Sequence, residues 1–271
     1  MEINELKEIA KQIRIDIINE VTSASSGHPG GSLSSVEIAT LLYFDIMNIP
    51  APDDPDRDRF VLSKGHASPL LYACLCEKGL FPREELLTFR KLGSHLQGHP
   101  DMNKVPGVDM TTGSLGLGIG TAVGMALAGK YDGKKYRVFA LLGDGEMQEG
   151  SVWEALMAAA HYKLSNLTVF VDNNNLQIDG RVSDDMSIYP IEDKLRAFGF
   201  ETVVVEDGND IGALRSAVTD LLSRECPGPR AVVARTTKGK GVSFMEDQAA
   251  WHGTAPSREQ AEEAIKEIME G

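Results

Sequence analysis

The second half of the chain alternates between short apolar runs and longer amphipathic segments. The runs are rich in β-branched and large apolar residues and predict strands at YRVFALLGDG (136–145), NLTVFVDNNN (166–175), ETVVVE (201–206) and PRAVVARTT (229–237). The segments between them have apolar residues at helical spacing and predict helices at SVWEALMAAAHYKL (151–164), IEDKLRAFGF (191–200) and DIGALRSAVTDLLSRE (210–225). This alternation predicts an α/β fold with a mostly parallel sheet covered by helices, in which ligands bind at the carboxyl ends of the strands.

The N-terminal third has a more helical pattern. We expect one long helix up to about Ser25, a second from about Ser34 to Asn48 and a third after SKGHASP (63–69). The segment 48–59 combines three prolines with acidic residues, which is typical of an exposed connection rather than a domain boundary. Without a repeat or a low-complexity linker, residues 1–271 are predicted to form one domain that ends in a charged helix.

The segment 110–129 carries no charge and has the length of a membrane-spanning helix. It contains six glycines and few large apolar residues, which argues against a membrane span. Gly116, Gly120, Gly124 and Ala128 recur every four residues, so on a helix they would form a smooth ridge that another backbone can approach closely. We expect this helix to be buried, at a subunit contact.

Composition and charge describe a soluble globular protein, with 42% apolar and 25% charged residues. The net charge of −13 disfavours nucleic acid and anionic membranes as partners. The cysteines, at 74, 76 and 226, are odd in number and match no zinc or thioredoxin-like spacing, which indicates reduced thiols. The N-terminus lacks the uninterrupted apolar core of a signal peptide, so we expect a cytoplasmic protein.

Two consecutive strands end in polar residues that could bind one ligand. Asp144 lies in GDG (143–145), whose glycines allow a tight turn, and DNNN (172–175) ends the next strand. GDG alone is a common structural turn. An Asn oxygen and a backbone carbonyl from the second segment would, however, join the Asp144 carboxylate at the same sheet edge, and a hard cation accepts such ligands. Phosphate oxygens and water would complete its shell, so the two segments together predict a metal that bridges the protein to a diphosphate.

This combination resembles the thiamine-diphosphate motif, and four further blocks make the chain similar to the transketolase family. They are SGHPGGSLSSVEIATLLY (26–43), SKGHASPLLYACL (63–75), GHPDMNKVPGVDMTTGSLGLGIGTAVGMALA (98–128) and WHGTAP (251–256). The blocks stand in family order and span nearly the full chain. The resemblance implies the thiamine-diphosphate-binding (PP-type) fold and a transketolase, which transfers a two-carbon ketol unit from a ketose phosphate to an aldose phosphate.

The resemblance also implies the ligands of the metal, which would be Mg²⁺, or else Ca²⁺ or Mn²⁺. They are Asp144, Asn174 and the carbonyl of Leu176, and Asn174 would also contact the diphosphate. Asn173 and Asn175 are register alternatives. The other implied cofactor-binding residues are His66, Gly113, Ser114, Leu115, Gly145 and Glu149.

The remaining implied roles concern the sugar and the subunit interface. His28, His99 and His252 resemble substrate-channel histidines, since the reaction needs proton donors and acceptors beside the sugar. Glu149 and Glu154 resemble interface glutamates that connect paired active sites, although Glu149 also suits the start of a helix. Two remaining histidines, at 95 and 161, are interpreted as structural. Two lysines, at 238 and 240, either close over the diphosphate or solvate a loop.

The family also needs a second domain, which binds the aminopyrimidine ring and supplies a glutamate that activates the cofactor. No segment of residues 1–271 resembles it. We therefore expect the N-terminal subunit of a split transketolase, which acts on sugar phosphates together with a C-terminal subunit in a heterotetramer.

Other assignments remain open from the sequence. The chain could be a 1-deoxyxylulose-5-phosphate synthase-like protein, an alpha chain of a 2-oxo acid dehydrogenase, or a non-catalytic scaffold subunit. The blocks at 26–43 and 98–128 favour transketolase, and the intact histidines argue against a scaffold. A nicotinamide-binding Rossmann enzyme is disfavoured, because the glycines between 113 and 124 do not form G-x-G-x-x-G after a strand.

Overall fold

Five parallel strands form the central sheet of the computed structural model, which describes all 271 residues. The strands are β1 (Arg59–Leu62), β2 (Val138–Gly143), β3 (Leu167–Asn173), β4 (Glu201–Val205) and β5 (Arg230–Arg235). Their order in the sheet is β1-β2-β3-β5-β4, and every neighbouring pair is parallel. The predicted α/β fold with a mostly parallel sheet is confirmed.

Ten α-helices connect the strands and cover both faces of the sheet. They are α1 (Ile3–Ala24), α2 (Pro29–Leu33), α3 (Val36–Leu41), α4 (Ser68–Glu77), α5 (Leu117–Tyr131), α6 (Gly150–His161), α7 (Val182–Asp185), α8 (Ile191–Ala197), α9 (Ile211–Ser223) and α10 (Arg258–Glu270). None of the helices combines the length and the apolarity needed to cross a membrane.

An apolar core lies on each face of the sheet, because successive side chains of a strand point to opposite faces. The larger core packs Phe139 and Phe170 against α1, α3, α4 and α9. The smaller core packs Ala140 and Val171 against α5, α6 and α8. The central strands are therefore buried on both sides, which fixes the positions of their carboxyl ends.

The N-terminal third differs from its prediction in two places. Strand β1 lies at the sheet edge within a segment expected to be helical or irregular, and its four residues are too few to show a periodicity. The predicted helix from Ser34 to Asn48 is observed as α3, which starts at Val36, followed by a π-helical turn at Leu42–Ile46, and a separate short helix, α2, precedes it. Ser34 and Ser35 lie between α2 and α3, where both hydroxyls bind to charged groups of the site described below.

Helix α5 corrects the prediction for the glycine-rich segment. It begins at Leu117, so Gly116 is not part of the helical ridge. Gly116 precedes the helix with a left-handed φ of 79°, and a Cβ there would lie 2.4 Å from the Ser151 hydroxyl. In this chain by itself the ridge is exposed, which is compatible with the expected subunit contact and leaves that contact a prediction. The opposite face of α5 packs into the smaller core. Gly120 and Gly124 are exposed, and a Cβ added to either glycine would have no atom within 4 Å. Leu117, at the start of the same helix, is 59% exposed.

Candidate active site

A cavity of about 350 Å³ opens where β1, β2 and β3 end. It brings together every predicted site residue but one, namely His28, His66, His99, Gly113, Leu115, Asp144, Gly145, Glu149, Asn174, Leu176 and His252. The exception is Ser114, which is exposed to solvent beside Gly113. Residues far apart in the sequence thus meet at the edge of the sheet where a parallel α/β fold binds its ligands.

Asp144 follows β2 directly and is 1% exposed. One carboxylate oxygen accepts the Gly145 N–H at 2.8 Å, and the other accepts the Asn175 N–H at 2.5 Å and the Asn173 side-chain amide at 3.0 Å. Burial raises the pKa of Asp144, and the nearby Asp172 raises it further, while these hydrogen bonds oppose the shift. A cation beside Asp144 would stabilise its charged form.

The three consecutive asparagines have different roles. Asn173 binds Asp144 and donates to the Tyr189 hydroxyl at 2.6 Å, and Asn175 has a left-handed φ of 58° and donates its side-chain amide to Ser183. Only Asn174 lines the cavity. The structure therefore favours the register in which Asn174, rather than either neighbour, contacts the ligand.

The oxygen atoms around this turn fit a hard divalent cation. No group of three or more His, Cys, Asp or Glu side chains in the structure could hold a metal, so a metal here would depend on amide and carbonyl oxygens as well as on Asp144. The Leu176 carbonyl already accepts a cationic donor, the Lys238 ammonium, at 2.9 Å. Asp144, Asn174 and Leu176 would hold Mg²⁺ through an all-oxygen set that leaves positions for phosphate and water.

A buried ion pair forms the floor below Asn174. Nζ of Lys64 lies 2.6 Å from Asp172, which also accepts the hydroxyls of Ser34, at 2.5 Å, and Thr236. Burial alone would raise the pKa of Asp172, but the Lys64 charge and the hydrogen bonds outweigh burial and lower it. The pair joins the segments after β1, β3 and β5 to the start of α3.

Glu146 ties the glycine segment before α5 to the turn after β2. Its carboxylate, 3% exposed, accepts the backbone N–H groups of Gly116 at 3.0 Å and Gly143 at 3.1 Å, and the Ser63 hydroxyl at 2.5 Å. Burial raises the pKa of Glu146, and these three hydrogen bonds oppose the shift. Glu146 thus positions two glycine-containing walls of the cavity relative to each other.

Three imidazole rings cluster at one side of the cavity. The ring centroids of His28, His66 and His252 lie 5.2 to 5.5 Å apart, and His99 is more exposed, beside Gly113. Burial and neighbouring positive charges lower the pKa of His28 to about 4 and that of His252 to about 3, and lower that of His66 as well. These imidazoles are therefore neutral at pH 7, and each ring has one nitrogen that can donate a hydrogen bond and one that can accept a hydrogen bond.

The two glutamates after GDG differ in position. Glu149 lines the cavity and occupies the N-cap position of α6, although its side chain makes no capping hydrogen bond. Glu154 lies one turn further along α6 and is exposed on the surface of this chain.

Comparison with known proteins decides the family to which this site belongs. A family model described as transketolase, thiamine diphosphate binding domain, matches residues 5–269. The chain belongs to the transketolase family. The predicted cofactor, thiamine diphosphate, and the predicted enzyme class, a transferase that uses it, are confirmed with this membership.

Similar transketolase-family proteins include both short and long chains. One subunit of the apulose-4-phosphate transketolase from Actinobacillus succinogenes is 43% identical over 271 residues, which are 98% of this chain and 97% of that protein. Human transketolase is 44% identical over 268 residues, which are 97% of this chain but only 42% of that protein. The chain thus spans almost all of the first relative and about two fifths of the second.

Solved transketolase structures have the same fold. The enzyme from Campylobacter jejuni superposes with a TM-score of 0.92 at 33% identity, over 99% of this chain and 43% of that one. The enzyme from Leishmania mexicana superposes with a TM-score of 0.91 at 33% identity, over 97% of this chain and 41% of that one.

Sequence reasoning missed the buried charged residues that line the transketolase cavity. Lys64 and Asp172 lie within the SKGHASP and DNNN segments, and Glu146 directly follows GDG. The sequence feature that could have identified these residues is a charged residue beside the end of a buried strand, because a charge buried there needs a partner. Lys238 is not a solvated loop lysine, because it is 2% exposed and contacts both Leu176 and His252.

Proposed function

We propose that this chain is the diphosphate-binding subunit of a two-subunit transketolase, which transfers a two-carbon ketol unit from a ketose phosphate to an aldose phosphate. The observation that carries the proposal is one cavity shared by the oxygen ligands Asp144, Asn174 and Leu176 and by the histidine cluster. A site whose ligands are all oxygen atoms suits a divalent metal bound to a diphosphate. Neutral imidazoles beside the metal can exchange protons with the hydroxyl groups of a substrate.

The chain's own residues would have separate tasks in this reaction. Thiamine diphosphate, when bound, supplies the carbon nucleophile that takes up the ketol unit. Asp144, Asn174 and Leu176 would hold its metal and diphosphate. His28, His99 and His252 would accept and return protons at the sugar hydroxyls, and the more buried His66 would contact the cofactor.

A C-terminal subunit with the pyrimidine-binding domain is the partner that we propose. Two relatives that match over nearly their whole length are named as single subunits of a transketolase, which implies a second subunit in those proteins. On this chain, the exposed ridge of α5 and the exposed Leu117 and Met157 offer an apolar face near the cavity for such a partner. We propose a heterotetramer with two copies of each chain and with active sites between them.

Reconstitution tests the proposal. The chain, the candidate partner and their mixture would be assayed for two-carbon transfer from xylulose 5-phosphate to ribose 5-phosphate, with light scattering to measure mass. Activity should appear only in the mixture, and a mixture that contains Asp144→Asn should remain inactive. Full activity of this chain alone would refute the need for a second subunit, and a mixture active on pyruvate rather than on ketose phosphates would refute the transketolase assignment.

Apulose 4-phosphate is a second candidate substrate, because relatives that match over nearly their whole length are named for it. The same mixture would be assayed with apulose 4-phosphate and with xylulose 5-phosphate at equal concentration. The higher kcat/KM identifies the preferred sugar.

A further inference from the structure

The ion pair of Lys64 and Asp172 lines the same cavity as the proposed metal ligands. The two side chains are 2% and 1% exposed, and the Lys64 ammonium is 2.6 Å from Oδ2 of Asp172. A buried ion pair is often no more stabilising than apolar residues of similar volume. Stability alone is therefore a weak reason for two charges at this place.

Lys64 has no donor left for a ligand. Its ammonium donates to the Gly31 carbonyl at 2.7 Å, to the Ser35 hydroxyl at 2.7 Å and to Asp172. An ammonium has three donors, so all of them are used. The pair consequently acts on neighbouring protein groups rather than on a phosphate or a sugar.

Asp172 contacts Asn174, the only proposed metal ligand with an amide side chain, which ends in one oxygen and one NH₂ group. The amide nitrogen of Asn174 donates to Oδ2 of Asp172 at 3.1 Å. A carboxylate paired with an ammonium only accepts hydrogen bonds, so the NH₂ end of the amide has to face Asp172. The oxygen end then faces the turn, where it accepts the Leu176 N–H at 3.0 Å.

We propose that the Lys64–Asp172 pair is a positioning device that holds the amide of Asn174 with its oxygen toward the metal. Asp172 orients the amide, and Lys64 holds Asp172 in place. The inference rests on the metal site proposed above. Groups that orient a metal ligand typically contribute about 10- to 100-fold to metal affinity.

A double-mutant cycle on Mn²⁺ affinity tests this role. Lys64→Met/Asp172→Leu removes both charges together, so the net charge is unchanged and neither charge is left buried without a partner. Asn174→Ala removes the proposed ligand. The dissociation constant of Mn²⁺ would be measured in the presence of thiamine diphosphate, from the electron paramagnetic resonance signal of free Mn²⁺, on the reconstituted complex of the full chain with the C-terminal subunit.

The expected result is a loss of additivity. In the wild-type background Asn174→Ala should weaken Mn²⁺ binding by about tenfold or more. In the Lys64→Met/Asp172→Leu background the same substitution should weaken it by less than about twofold, because an Asn174 amide without its contact to Asp172 no longer holds its oxygen toward the metal. Equal losses in both backgrounds would overturn the proposal, since they would mean that the pair supports only the fold.

A second buried ion pair provides the matched control. Arg14 and Glu37 are 2.6 Å apart and do not contact Asn174. In an Arg14→Met/Glu37→Leu background, Asn174→Ala should retain its full effect on Mn²⁺ binding.

If Lys64→Met/Asp172→Leu does not fold, Lys64→Gln/Asp172→Asn replaces it. An amide at position 172 can rotate, so it no longer determines whether the oxygen or the NH₂ group of Asn174 faces it.

The proposed metal site can fail separately. If the wild-type complex with the C-terminal subunit binds no Mn²⁺ with thiamine diphosphate, or if Asp144→Ala leaves the affinity of that complex unchanged, the site is refuted and the positioning role with it. If Asp144→Ala and Asn174→Ala both weaken binding without coupling to the ion pair, only the positioning role is refuted.

Discussion

Nζ of Lys238 lies 2.7 Å from Nδ1 of His252. An ammonium only donates, so Nδ1 carries the lone pair and the ring proton of the neutral imidazole is on Nε2. Lys238 thereby selects the tautomer of a proposed substrate-channel histidine. The pKa of Lys238 is lowered to about 8, chiefly by burial, so the ammonium is still mostly charged at pH 7.

Lys238→Met should raise the pKa of His252. Burial is the largest cause of the lowered pKa and remains in the variant, but the Lys238 charge is the next cause and is removed, so the pKa moves up toward its ordinary value. NMR titration of the imidazole resonances measures the shift. Lys240→Met, which removes a half-exposed lysine paired with Glu246, is the control and should leave the pKa unchanged. A His252 pKa that stays at its wild-type value in Lys238→Met would contradict the contact.

Asp144→Ala should abolish magnesium-dependent binding of thiamine diphosphate while the fold remains. Asp144 is the only charged ligand proposed for the metal, so its loss should weaken cofactor binding by about 100-fold or more. Isothermal calorimetry on the reconstituted complex measures this loss. Asp179→Ala removes an exposed carboxylate from the rim of the same cavity and should have little effect. Equal effects of the two substitutions would mean that general negative charge, and not a ligand, attracts the metal.

The substrate-channel histidines should matter more for turnover than for cofactor binding. His28→Ala, His99→Ala and His252→Ala should each lower kcat by about 10²-fold, because each removes a proton acceptor. His66→Ala should instead weaken thiamine diphosphate binding. Steady-state kinetics and cofactor titration on the same preparations separate the two effects. Parallel loss of turnover and cofactor affinity in the first three variants would assign those histidines to the cofactor.

Gly124→Leu should block assembly with the partner without unfolding this chain. A Cβ at Gly124 has no atom within 4 Å, so a side chain can be added, but it would fill the smooth ridge on which a partner would pack. Ser216→Leu on the exposed face of α9 adds a similar apolar side chain elsewhere and should assemble normally. Sedimentation of the mixtures measures assembly, and normal assembly of Gly124→Leu would place the interface elsewhere.

Most helices and all four strands after residue 136 could be predicted, because their apolar runs are bounded by polar turns and because β2, β3 and β5 are almost wholly buried. Strand β1 could not, since it is short and pairs only with β2, whose sequence begins far along the chain. The break between α2 and α3 has the same cause, because Ser34 and Ser35 at this break bind Asp172 and Lys64, and long-range contacts leave no local pattern.

The lining of the cavity could be predicted from motifs, because strand ends and glycine turns have recognisable sequences. The buried charged residues of the lining could not be predicted. The partners of Asp172 and Glu146 come from segments distant in sequence, and the burial that changes the pKa of each carboxyl exists only in the folded chain. The helix α5 ridge shows a further limit, since spacing reveals a smooth surface but not whether this chain or another covers it.

The sheet order has a consequence for the sequence of folding events during synthesis. Strand β4 pairs only with β5, which follows it in the chain and lies between β3 and β4 in the sheet. Until residues 230–235 emerge, the apolar strand ETVVV has no neighbour, and a nascent chain exposes an unpaired edge that can aggregate. Lys238 and His252 arrive later still. A ligand that binds only the completed cavity would therefore stabilise finished molecules and not partly made ones.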